Sequence, residues 1–124
     1  MPKRNPKANA ERESRIVDEI LVDAYGPEEW AVAWYSYLED QLSFPFRAEC
    51  IAVTAASPLR KGEVVEVLGL ADEDDCRSRM LVLIRFGGGK MGVPLAQLDP
   101  IGMDAGARQA LDDWRYWVGA GYVA

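Results

Sequence analysis

The chain has 124 residues, 49% of them apolar and 27% charged, which suits one globular domain built around a single hydrophobic core. Its net charge of −6 is uneven, with residues 1–15 summing to +3 and the remainder to −9. So acidic a body repels phosphate backbones, which speaks against nucleic acid as a partner. No apolar run approaches the ~20 residues of a membrane span, and the chain has no histidine for imidazole bases or zinc sites.

The opening stretch, MPKRNPKANAERE, lacks the apolar core of a signal peptide, so a cytoplasmic protein is expected. Residues 1–8 read as a flexible basic arm and residues 9–124 as one domain. A first helix is predicted from Asn9 to Tyr25, with Ile16, Ile20 and Val22 to Ala24 as its apolar stripe. Gly26 ends it and Pro27 opens the next. That second helix, PEEWAVAWYSYLEDQL, repeats Trp30, Trp34, Leu38 and Leu42 every four residues, a pattern read as core packing. Glu28 and Glu29 suit the positive end of its dipole. Glu39 and Asp40 do not, because they occupy the last turn, where a cation is preferred.

Strands follow: FRAECIAVTA, EVVEVLGLA, MLVLIRF, MGVPL and a short segment reaching Ile101. Bends at Gly62, Gly69 and Gly87 to Gly89 suggest an SH3-like antiparallel β-barrel of about five strands. A C-terminal helix capped by Asp104 carries Leu111, Trp114 and Val118 on one face, and Asp112–Asp113 read as its solvated side. The predicted class is therefore α+β: N-terminal helices, a small barrel, a C-terminal helix. Cys50 and Cys76 are expected to be reduced core residues.

What remains in quantity is carboxylate chemistry. Asp72, Glu73, Asp74 and Asp75 form an unbroken acidic turn. Calcium takes about six to eight oxygens at ~2.3–2.6 Å, and this turn offers such atoms. It is not an EF-hand loop: frames starting at Asp72 or Asp74 have arginine, not glycine, at the sixth place. Taken alone, the turn reads as a solvated loop rather than a metal site, and it is cheap to carry, since like charges ~7 Å apart in water repel by only about 0.6 kcal/mol. Glu39 and Asp40, with the carbonyls of the last helical turn, would be the outside contributors that make it a site. Arg77 and Arg79 flank the turn and are competing partners for its carboxylates.

Four segments carry a resemblance: NPKANAERE, WYSYLEDQLSFPFRAEC at residues 34–50, VEVLGLADEDDC at residues 65–76, and DWRYW followed by GY. In order and almost without gaps, they resemble the small cyanobacterial-type calcium-binding proteins called CcbP-like. The resemblance implies a compact α+β protein with an SH3-like barrel that binds Ca²⁺ through surface acids. Carried onto this chain, the implied metal ligands are Glu39, Asp40, Glu73 and Asp74, with Asp72 and Asp75 beside them. Asp40 is the first choice, because a cluster within one turn needs an outside partner. The segment FGGGKMGVPL has no acid, so that hairpin offers no carboxylate for a second ion. The expected function is a monomeric cytoplasmic calcium buffer or sensor, not an enzyme. The alternative is a protein-interaction module with an acidic surface that no longer binds calcium and docks an unidentified protein.

Overall fold

The computed structural model describes residues 6–120 apart from 56 and 78. Helix α1 (Pro6–Arg15) opens the described chain and continues into one wide π-helical turn, Ile16–Ile20. The first five residues of the expected basic arm lie outside the described residues, and Pro6 to Ala8 are helical. The first helix is thus shorter at its end than the predicted Asn9–Tyr25. The reason lies in the spacing of its apolar residues. Ile16 and Leu21 are both buried, yet five residues turn an α-helix by roughly 140° and would put them on different faces. The i→i+5 bond from Leu21 N–H to the Ile16 carbonyl, 2.9 Å, brings both to the core and ends the helix there. Gly26, at φ 109°, then supplies the backbone turn into α2 (Pro27–Gln41).

Five antiparallel strands follow: β1 (Phe46–Cys50), β2 (Val64–Leu70), β3 (Leu81–Phe86), β4 (Gly89–Pro94) and β5 (Leu98–Ile101). They form one sheet in the order β4-β3-β2-β1-β5. Gly87 and Gly88 both have positive φ, which gives the two-residue β3–β4 hairpin a twist that matches its strands. At Gly69 the β2–β3 register shifts by a bulge, bending the sheet. A short 3-10 turn, Leu95–Gln97, leads into β5. The sheet is open, and its order is compatible with the SH3-like arrangement expected from sequence. The first strand stops at Cys50, well short of the predicted Ala55. Beyond it Ile51 N–H donates to the Gln97 carbonyl, and Val53 turns out to solvent.

Helix α3 (Ala105–Gly119) closes the fold. Its N-cap is Asp104, whose carboxylate accepts from Ala107 N–H at 2.9 Å, as the sequence suggested. The core between helices and sheet gathers Trp34, Leu38 and Leu42 of α2, Val65, Val67, Val82 and Ile84 of the strands, and Leu111 and Trp114 of α3. Trp117 stands edge-on to Trp30 at 5.5 Å and fixes the α2–α3 approach. Both cysteines are buried and free.

Asp113 corrects the expectation of a solvated acidic pair on α3. It is 1% exposed and sits between two arginines of α1, with Arg15 at 2.6 Å and Arg12 at 3.2 Å. Tyr116 adds a hydrogen bond to Glu13 at 2.9 Å, so α1 is clasped to α3 by charge as well as by packing. A carboxylate at that depth is tolerated only because its charge is matched. Asp112 does remain half-exposed, 3.8 Å from Arg108.

The clasp generates a stability prediction. Replacing both arginines (Arg12→Gln with Arg15→Gln) strands the buried carboxylate and should lower unfolding free energy by about 3–5 kcal/mol. Asp113→Asn should cost less, because each arginine is more than a third exposed and can turn to water. Urea denaturation followed by circular dichroism measures both. Equal losses would show that packing, not charge, holds α1 down.

Candidate metal centre

The acidic turn sits between β2 and β3, and its shape comes from residues that are not acidic. Cys76 is buried and ends a one-turn 3-10 helix, Glu73–Cys76. Its thiol lies 3.4 Å from both the Leu81 N–H and the Leu81 carbonyl. The Ala71 N–H donates to the Leu81 carbonyl at 2.9 Å, closing the base of the loop. Burial pushes the Cys76 thiol above its ordinary pKa, opposed by the Leu81 N–H and reinforced by the charges of Asp75 and Asp72. The residue is a neutral pin at the centre of the turn. With Cys76 drawn inward, Asp72, Glu73, Asp74 and Asp75 all point to solvent.

Helix α2 meets this turn through Tyr35, whose hydroxyl donates to the Ala71 carbonyl at 2.7 Å. Tyr35 is the junction that sequence reasoning missed. Its phenol is shifted above its ordinary value, first by burial and then by the charge of Glu39, by Cys76 once it ionises at high pH, and by Asp72 and Glu73. Charges from two elements thus act on one hydroxyl through space, and α2 and the acidic turn pack beside each other. Glu39 lies four residues beyond Tyr35, on the same helix face, and is the member of its pair that acts on the phenol. The signal was present in the sequence as a tyrosine one turn before an acid, but nothing local marked Ala71 as its acceptor.

The remaining candidates are placed less centrally. Asp40 is exposed and accepts a hydrogen bond from Gln41 at 3.2 Å. Asp74 pairs with Arg77 at 3.1 Å, both side chains lying mostly in water. Thus one of the two flanking arginines competes for the turn, as the sequence allowed. The last turn of α2 contains no basic residue, so its negative dipole end and its two acids remain uncompensated within the helix. Among the described residues, no three cysteine or acidic side chains stand close enough together to hold an ion as they are. The arrangement is two acidic segments on either side of an anchored hydroxyl rather than a closed cage.

Some acids elsewhere are matched by arginines. Asp99 is 3.2 Å from both Arg108 and Arg115, and Glu66 is 3.0 Å from Arg85.

Comparison with known proteins agrees with the geometry. A family model described as calcium binding, Calci_bind_CcbP, matches residues 14–118. A solved structure described as the crystal structure of Anabaena CcbP is 35% identical, covers 99% of this chain and 98% of its own, and superposes with a TM-score of 0.81. Another, described as a calcium binding protein in the calcium-binding form, is 34% identical, with coverages of 98% and 100% and a TM-score of 0.82. No curated protein matches the chain. With the family model spanning both the acidic turn and the helix that meets it, the chain belongs to the CcbP calcium-binding family.

Proposed function

We propose that this protein binds Ca²⁺ through Glu39, Asp72 and Glu73 around the Tyr35 hydroxyl, with Asp40, Asp74 and Asp75 adding charge and further oxygens. The observation that carries this reading is the approach of the acidic turn to α2 at the Tyr35–Ala71 hydrogen bond, which brings the acids of both elements to one end of the molecule. The donor set suits the ion: carboxylate oxygens on flexible, exposed side chains, with water to complete the sphere. The thiols do not compete, because both cysteines are buried. Their reduced state supports a cytoplasmic setting.

Buffering is the role the turn suits. A sensor needs an element with two arrangements that the ion selects between. Here the base of the turn is held by Tyr35, Cys76 and the Leu81 backbone, so side chains gather about an ion while the backbone stays in place.

Calorimetric titration with Ca²⁺ tests the assignment. The double variant Glu39→Gln, Glu73→Gln should weaken binding at least ~tenfold, as expected from losing two charged ligands. Glu66→Gln, remote and paired with Arg85, should leave it unchanged. Saturating calcium should also raise the melting temperature, since an ion bound only to the folded state stabilises it. Undiminished affinity in the double variant would remove these carboxylates from the site.

Tyr35 gives a second readout. Its raised pKa means that the folded state holds the phenol proton more tightly than the unfolded chain does. The associated stability is complete below the ordinary phenol value and is lost as pH rises through the folded one. Neutralising Glu39, Asp72 and Glu73 with calcium removes the repulsive part of that shift. The tyrosinate absorbance of Tyr35 should then appear at lower pH with Ca²⁺ than with chelator. The difference should vanish in Tyr35→Phe.

A further inference from the structure

Along α2's first half lies a half-open groove of about 700 Å³, bounded by the Ile20–Ala24 segment, by α2 from Glu28 to Ala33, and by Glu73 and Arg77. Its walls are apolar and include Val22, 60% exposed, and Val32, 44% exposed. Ala24, Ala31 and Ala33 keep its floor shallow enough for a second backbone to approach closely. Among the described residues, four carboxylates stand around it, from Asp23, Glu28, Glu29 and Glu73, against the single cation of Arg77. That cation is already engaged with Asp74 at 3.1 Å. Glu29 holds the Tyr25 N–H at 2.8 Å, whereas Asp23, Glu28 and Glu73 form no ion pair among the described residues.

An apolar trough with an acidic rim has a defined complement. We propose that this groove docks an amphipathic helix of a partner protein, one that presents aliphatic side chains to Val22 and Val32 and lysine or arginine to the rim. The recognition is of the helix-in-groove kind, in which anchors at helical spacing fill the trough and peripheral charges select the partner. Anionic surfaces are repelled by the same rim. The groove runs along the helix face that also carries Tyr35, and Glu73 is common to its rim and to the acids near that phenol.

The test uses the full chain in chelator, so that its outcome is independent of calcium binding. The probe is a fluorescein-labelled synthetic peptide of leucine and lysine with the leucines at helical spacing. The control is a peptide of the same composition with that spacing scrambled. Fluorescence anisotropy should show saturable binding of the patterned peptide, weakened by salt, and markedly poorer binding of the scrambled one. Val32→Lys and Glu28→Lys should each lower affinity about tenfold, one by spoiling the trough and the other by reversing a rim charge. Both positions are exposed, and circular dichroism should show the fold intact. Equal binding of the two peptides, or unchanged affinity in both variants, would overturn the proposal. So would a dimer in sedimentation that Val32→Lys dissolves, which would assign the groove to a second copy of the chain.

Discussion

One hydrogen bond organises the acidic end of this molecule, the 2.7 Å contact from the Tyr35 hydroxyl to the Ala71 carbonyl. Its net worth is about 1 kcal/mol, as for most such bonds, but its position matters more than its strength. It ties α2 to the residue that begins the acidic turn. Glu39, one turn beyond Tyr35 on the same helix face, is thereby brought to the side of the acidic turn. Without that tie the turn would be a loop between two strands, free to carry its charges away from the helix. With it, a helix end that is already negative faces a run of four acids. The cost is small only because these side chains lie in water, where the repulsion between neighbours is a fraction of a kcal/mol. Water screens the repulsion in the absence of an ion, and the same exposure leaves the oxygens open to one.

Burial explains why the arginines are found elsewhere. Asp113 has no access to water and takes two of them, Arg12 and Arg15, from a helix nearly a hundred residues earlier in the chain. Asp99 takes two more, from α3. At the acidic turn the single pair, Arg77 with Asp74, is almost fully hydrated and worth little. The molecule therefore has two regimes of negative charge: compensated where it anchors helices to the core, and uncompensated where it faces solvent beside Tyr35. A net charge alone conveys neither.

Much of the fold was legible because it rests on local rules. The strands, the Gly87–Gly88 hairpin, the bend at Gly69, the Asp104 cap and the Trp34–Leu38–Leu42 stripe each follow from a periodicity or a backbone preference visible within a few residues. The misses share a different character. The end of α1 was misplaced because a 3.6-residue pattern does not foresee a π turn that aligns Ile16 with Leu21. The first strand was overextended because its length depends on pairing with β5, not on the β-branched residues beyond Cys50. Asp112 and Asp113 are indistinguishable as neighbours in a sequence, and only the arrival of α1 buries one and leaves the other wet. For the candidate site, the acids were legible as a class, and family resemblance pointed to the two segments. The junction at Tyr35 was not, because it pairs a side chain with a backbone carbonyl 36 residues away.

Glu73 stands where the two proposed activities meet, and this has a consequence for their signs. It belongs to the carboxylates around Tyr35 and to the rim of the groove along α2. Calcium and a basic helix are both cations in this setting, and each draws on the same negative charge. A bound ion at Glu73 weakens the rim's attraction for lysine or arginine. By linkage, a docked basic helix weakens the ion by the same factor. The coupling is therefore antagonistic, and its size is limited to one exposed charge among several. No backbone movement is needed to produce it, which fits a turn whose base is pinned by Cys76 and Tyr35. Calcium-linked partner exchange would then arise from screening at a shared residue, with the base of the turn left in place.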